Sequence, residues 1–228
     1  MIKDNLATIH NRIKAAAAKA GRNPDEITLI AVSKRKPISL IDEALAAGQL
    51  DFGENYVQEA KEKIEELAGR GRFHFIGSLQ SNKAGDAARL CHLIHTVDRL
   101  KLAKALDKHA AAAGKILAVL IQVNVGREVQ KGGVLPEDAE QLARQMQELA
   151  NLEIRGLMTM PPHRQNPEDV RPFFRKLREL GQNLQAKGLI DPKSRLELSM
   201  GMSGDFEVAI EEGATMVRVG TAIFGARE

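Results

Sequence analysis

Lys34 closes the run Ile27-Thr28-Leu29-Ile30-Ala31-Val32-Ser33-Lys34, an apolar, β-branched stretch that reads as a buried strand with an amine at its end. Strand alternation puts Thr28, Ile30, Val32 and Lys34 on one face. An amine held among apolar neighbours is disfavoured as the ammonium ion, and the neutral amine is the form that condenses with an aldehyde. The plainer reading is a solvated lysine at a strand end. Against it stands Ser33-Lys34-Arg35-Lys36-Pro37, which gathers three cations at that end. Lys36 precedes Pro37, a natural first helical residue, and so falls in the loop.

A second constellation lies far along the chain. Leu196-Glu197-Leu198-Ser199-Met200-Gly201-Met202-Ser203 and Met216-Val217-Arg218-Val219-Gly220-Thr221 each place a Gly/Ser/Thr turn after a strand-like run. Ser203 sits where a helix N-cap would, so amides there would point at an anion. Gly220 permits close backbone approach and Thr221 adds a hydroxyl donor. Either turn alone could use Gly and Ser for geometry only, but together they have the chemistry of a phosphate cradle. An imine-forming lysine beside a phosphate cradle points to pyridoxal 5′-phosphate (PLP).

Arg218 can project into the mouth formed by these turns. There it either donates to a pyridine nitrogen, keeping that nitrogen unprotonated and the ring a weaker electron sink, or pairs with Glu211 or Glu212. Asn55 either hydrogen-bonds near a phenolic oxygen or caps the following helix. His74, between Phe73 and Phe75, reads as a satisfied core histidine, and Met158, Met160, Met200 and Met202 as packing. The six histidines lack metal-ligand spacing, so no metal site is expected.

These groups need a scaffold. After an amphipathic helix over 5–20, apolar runs near 27–33, 49–53, 73–77, 93–97, 116–125, 154–158, 196–200 and 215–219 alternate with helical periodicity at 38–47, 55–68, 80–90, 99–113, 136–150, 168–187 and 204–212, with a short turn or helix at 221–226. The alternation predicts a parallel sheet, and eight repeats with no long break favour an α/β fold, a single (β/α)8 TIM-type barrel with an extra N-terminal helix spanning 1–228. In such barrels chemistry gathers at the C-terminal strand ends, with phosphate after strands seven and eight. Lys34, Asn55, Ser203 and Arg218 to Thr221 all fall there.

Composition narrows the classes further. The net charge is only +3, aromatics are 4%, and no run of five like charges occurs, which argues against nucleic-acid binding. Cys91 is the sole cysteine, so neither an intrachain disulfide nor a Cys-rich zinc site is available, as suits a reducing compartment. No window nears eighteen uninterrupted apolar residues and the N-terminus lacks a signal-peptide core, so a cytoplasmic protein without a membrane span is expected.

At these residues the chain resembles the pyridoxal-phosphate homeostasis proteins, the YggS/PROSC family. The resemblance is carried by Ala31-Val32-Ser33-Lys34, Phe52-Gly53-Glu54-Asn55-Tyr56-Val57-Gln58-Glu59, His74-Phe75-Ile76-Gly77 and Leu79-Gln80-Ser81-Asn82-Lys83. It continues through Gly156-Leu157-Met158, Leu198-Ser199-Met200-Gly201-Met202-Ser203 and Val217-Arg218-Val219-Gly220-Thr221-Ala222-Ile223-Phe224-Gly225-Ala226-Arg227, in order along the whole chain. Ser78, Phe73 and Gly204 depart from the pattern where proline, tryptophan and an acidic or small residue are usual.

The resemblance implies a barrel like the N-terminal domain of alanine racemase, with PLP held as an imine on Lys34. It further implies Arg218 facing the ring nitrogen, Ser203, Gly220 and Thr221 on the phosphate, and Asn55 and Met200 lining the ring. The implied role is PLP homeostasis, in which a monomer binds PLP and other B6 vitamers and supplies apo PLP-dependent enzymes. No catalytic residue is assigned. Racemisation needs a base on each face of the carbanion, and Lys34 supplies one. Alanine racemase takes the second from a tyrosine in a further β-domain, whereas Tyr56 is the sole tyrosine here. A weak amino-acid racemase is the alternative, and a Schiff-base aldolase binding a sugar phosphate the third reading.

Overall fold

The structure, a computed structural model, describes residues 1–225. The strands are β1 (Thr28–Val32), β2 (Asp51–Glu54), β3 (Arg72–Phe75), β4 (Leu93–Val97), β5 (Leu117–Gln122), β6 (Leu152–Met158), β7 (Glu197–Ser199) and β8 (Met216–Val219). They close into a barrel in chain order. Every strand pair is parallel, and closure is made by β8 against β1, with Ile30 opposite Arg218 and Ala31 opposite Val219.

The helices are α1 (Ile2–Lys19), α2 (Ile38–Ala46), α3 (Val57–Glu66), α4 (Ala84–Leu90), α5 (Leu100–Ala112), α6 (Ala139–Met146), α7 (Arg171–Ala186), α8 (Phe206–Glu211) and α9 (Thr221–Phe224). Each expected strand and helix is present. The expected final element ran to 226, and Ala226 and Arg227 of the last motif lie outside the described residues.

Strand alternation divides the core in two. Leu29, Ala31, Val119, Ile121, Val217 and Val219 point outward into one large cluster shared with the helices. Ile30, Leu93, Leu120, Met158 and Met216 fill the inside of the barrel as a smaller cluster. A strand flanked on both sides by apolar partners explains the uninterrupted hydrophobic runs of the sequence. Inside, packing is tight enough that a Cβ on Gly53 would lie 2.8 Å from Ile76 Cδ1 and 2.9 Å from Ile30 Cγ2.

Helix α1 buries Ile2, Leu6, Ile9 and Ile13, each such side chain worth about 1.5–3 kcal/mol when fully buried. It is also tied to the C-terminal half of the barrel. Asn5 Nδ2 donates to the Ile223 carbonyl at 2.8 Å, and Arg22 Nη1 donates to the carbonyls of Ile210 and Ala214, both at 2.8 Å. The N-terminal segment is thereby locked to the last two repeats of the barrel.

Candidate functional site

The predicted residues fall on four neighbouring strands, β7, β8, β1 and β2, at the C-terminal rim. β1 ends at Val32, and Ser33 N extends the ladder by donating to Gly53 O at 3.1 Å. A tight turn follows, closed by Lys36 N donating to Ser33 O at 3.0 Å, with Arg35 in the left-handed region at φ 57°. Lys34 lies inside this turn and is half-buried.

The turn is braced from below by a charge network. Lys63 on α3 is 4% exposed, and its Nζ donates to Ser33 O at 2.6 Å, Glu54 Oε1 at 2.7 Å and Glu59 Oε1 at 2.6 Å. Ser33 Oγ donates to the same Glu54 Oε1 at 2.6 Å, and Arg35 N donates to Glu59 Oε1. Burial pushes the Glu54 carboxyl above the usual range, against the opposing pull of Lys63. Sequence reasoning gave Glu54, Lys63 and Ser33 no role. The available signal was a lysine at a buried helical position, four residues after Glu59.

Asn55 follows β2. The helix after it begins at Val57 with Tyr56 in the N-cap position and no side-chain cap, so Asn55 is not a capping residue. Its Oδ1 is buried with no hydrogen-bond partner among the described residues, as is Glu54 Oε2 beside it. A buried orphaned amide oxygen costs about 1–3 kcal/mol, a cost that persists where a bound group is to meet it. Tyr56 is 48% exposed, its hydroxyl accepting from Arg35 Nη2 at 3.3 Å while the guanidinium lies 5.7 Å from the ring centroid.

The two turns of the cradle face one another across β7 and β8, with Thr221 Oγ1 and Ser203 Oγ 3.5 Å apart. Gly220 sits against β1, where an added Cβ would lie 3.3 Å from both Val32 Cβ and Val32 O. This contact places the cradle beside the strand that leads to Lys34. One detail of the expectation is corrected: Ser203 is not a helix N-cap. α8 starts at Phe206 after Asp205, whose Oδ1 instead accepts from Met202 N at 2.6 Å, so Ser203 lies in the preceding turn. Met200 is fully buried in the outer cluster, on the opposite face of the strand from Ser199.

Arg218 is 4% exposed. Its Nη1 donates to Ser199 Oγ at 2.6 Å and its Nη2 to the Thr159 carbonyl at 2.8 Å, so its partners among the described residues are neutral oxygens. Glu212 is occupied by Arg171, Arg175 and Arg178, and Glu211 by Lys19 and Arg171, so the alternative pairing with either acid does not form. Burial lowers the Arg218 pKa to about 10, partly offset by the field of Asp205, so it remains a cation at neutral pH. A buried guanidinium with donors to spare is fitted to a neutral acceptor such as an unprotonated ring nitrogen.

The model of the alanine racemase N-terminal domain matches residues 5–228. A pyridoxal phosphate homeostasis protein of Aquifex aeolicus is 46% identical over 226 residues, covering 99% of this chain and 98% of the relative. The chain belongs to the pyridoxal phosphate homeostasis protein family. Another homeostasis protein, from Escherichia coli strain K12, is 46% identical over 235 residues, 100% of this chain and 97% of its own. Among solved members, PipY of Synechococcus elongatus with PLP bound superposes with a TM-score of 0.85 at 38% identity, covering 99% of this chain and 100% of that one. Alanine racemase of Corynebacterium glutamicum shares the barrel alone, with a TM-score of 0.73 at 19% identity over 62% of its length. Family membership and the (β/α)8 fold thus agree with the expectations from sequence. Among the described residues no helix is long and apolar enough to cross a membrane.

Proposed function

We propose that this chain binds PLP and serves in PLP homeostasis, holding the cofactor on Lys34 and releasing it to apo PLP-dependent enzymes. The observation that carries this reading is the convergence on one half of the rim of Lys34, the orphaned Asn55 Oδ1, the Ser203–Thr221 pair and the buried cation of Arg218. Ser203, Gly220 and Thr221 would hold the phosphate, Lys34 the aldehyde carbon, Asn55 the ring substituents and Arg218 the ring nitrogen. When bound, PLP supplies a conjugated ring that withdraws electrons from an attached amine.

The residues favour a carrier over a catalyst, acting as a monomer in the cytoplasm. Arg218 donates and has no acceptor to offer, so it holds the ring nitrogen unprotonated and weakens the electron sink. Tyr56, the one tyrosine, is turned to solvent and engaged by Arg35. The relatives named above are called homeostasis proteins. Other B6 vitamers bearing the phosphate would share the cradle without the covalent link.

The deciding experiment is the visible spectrum of the protein with added PLP, for wild type and Lys34→Ala. A yellow band that borohydride bleaches in wild type, and that is missing in the variant, is expected. Transfer of the bound PLP to an apo-enzyme, without proton exchange at Cα of added amino acids, then separates carrier from racemase. No band with excess PLP would overturn the reading.

A further inference from the structure

The polar side of the barrel interior forms a continuous hydrogen-bond chain from rim to base. Arg218 Nη1 meets Ser199 Oγ at 2.6 Å, Ser199 Oγ meets His95 Nδ1 at 2.9 Å, and His95 Nε2 meets His74 Nδ1 at 3.0 Å. His74 Nε2 meets Asp51 Oδ1 at 3.0 Å, and Arg72 grips Asp51 with Nε at 2.8 Å and Nη2 at 2.6 Å. His95, His74 and Ser199 are at most 2% exposed. Asp51, Arg72 and His74 line a cavity of about 210 Å³ at the N-terminal ends of the strands, opposite the rim. The chain therefore spans the barrel.

With both histidines neutral, the chemistry of its two ends fixes every proton in it. A carboxylate only accepts, so His74 Nε2 carries the hydrogen that faces Asp51. A neutral His74 then accepts at Nδ1, which obliges His95 to donate from Nε2. A neutral His95 accepts at Nδ1 in turn, so Ser199 donates its hydroxyl hydrogen there. Ser199 Oγ is left as an acceptor for Arg218, which can only donate. Each donor points away from Arg218 and each negative end of a dipole points toward it. Burial, with the field of Arg218, pushes His95 well below the ordinary histidine range, which agrees with its neutrality. Two further titratable groups face the chain: His92, half-buried with its ring 5.8 Å from that of His74, and Asp205, whose field acts on Arg218.

We propose that Ser199, His95, His74 and Asp51 are positioning residues for Arg218, a one-way hydrogen-bond chain that relays the negative field of Asp51 across the barrel. The chain holds the guanidinium in plane, leaving its remaining N–H groups for the ring nitrogen. The electronic character of bound PLP is thereby set from the opposite end of the barrel. This assignment rests on the reading of Arg218 as the ring-nitrogen partner.

The test begins without cofactor. Long-range proton–nitrogen NMR of the unloaded protein should show His95 as a neutral Nε2–H tautomer near pH 7, with a hydrogen on Nε2 of His74. In Asp51→Asn the end acceptor becomes ambiguous, and the tautomer signature of His95, two links away, should change. With PLP loaded, Asp51→Asn and Ser199→Ala should each shift the absorption maximum in the direction that Arg218→Ala does. An Nδ1–H or protonated His95 in wild type near pH 7 would overturn the chain, and this readout needs no variant to fold. Correct tautomers with an absorption maximum unmoved in Ser199→Ala would overturn the relay to Arg218. Failure of wild type to take up PLP would strike the proposed function and leave the tautomer result standing.

Discussion

Gly77 and Asn55 are packed backbone against backbone: a Cβ on Gly77 would lie 2.2 Å from the Asn55 carbonyl oxygen and 2.6 Å from its Cα. No side chain fits there, so the glycine after β3 sets where the chain leaving β2 can run. It thereby sets where the orphaned Asn55 amide sits over the barrel.

Gly77→Ala should therefore act on the site through Asn55. The contact is with backbone and cannot be relieved by a rotamer change, so a cost of about 1–3 kcal/mol is expected. Denaturant unfolding should show that loss, and PLP titration a lower affinity with the yellow band retained. Unaltered stability and affinity would mean that the β2–α3 segment moves freely out of the way.

Lys63→Met removes a cation that pairs with both Glu54 and Glu59 beneath the Lys34 turn. Lys63 and Glu54 side chains are 5% and 0% exposed, and breaking a buried pair from one side costs about 3–5 kcal/mol. The double variant Lys63→Met, Glu54→Gln should recover part of that loss, since the stranded carboxylate is gone. A double variant no more stable than the single one would show that the deficit lies in packing.

The cradle can be tested by subtracting phosphate from the ligand. Ser203→Ala and Thr221→Val each remove a hydroxyl donor, and a hydrogen bond to a charged group is worth about 1.5–3 kcal/mol, or roughly 10–150-fold in affinity. Both hydroxyls are solvent-accessible, so the lower end is expected. PLP should lose affinity while pyridoxal, which lacks the phosphate, should not. Equal losses for both ligands would remove these residues from phosphate binding.

His95 makes stability depend on pH. Its folded pKa is depressed by burial, so its neutral form is native-like and the unfolded chain takes up a proton first. Stability is then full above the unfolded value of about 6.5 and falls as pH drops below it, at up to about 1.4 kcal/mol per pH unit per such group. Thermal unfolding should fall by roughly 2–4 °C for each kcal/mol lost in a chain of this size. A melting temperature flat between about pH 6.5 and pH 5 would contradict a neutral buried His95.

Much of the protein is legible without coordinates. Strand and helix periods follow from side-chain alternation, which is local, and eight such repeats leave few architectures other than the closed barrel. Lys34, Gly220 and Thr221 reach the same rim because every parallel strand delivers its C-terminal end there. The reading of His74 as a satisfied core histidine also holds, because a polar group between Phe73 and Phe75 needs a partner once buried.

What the chain alone did not reveal was who those partners are. Arg218 could have met Glu211 or Glu212 nearby in sequence, but it meets Ser199 and Thr159 on the two preceding strand ends. Ser199 and His95 are 104 residues apart, yet their side chains touch inside the barrel. Asn55 and Ser203 resemble caps in sequence, and only the observed helix starts at Val57 and Phe206 show that neither caps a helix. Secondary structure is decided by neighbours along the chain, whereas a buried polar contact is decided by the register and tilt of strands brought together by closure. The sequence therefore determined the scaffold, the amine and the two Gly/Ser/Thr turns, and the tertiary structure decided which charges are compensated, and from which end of the barrel.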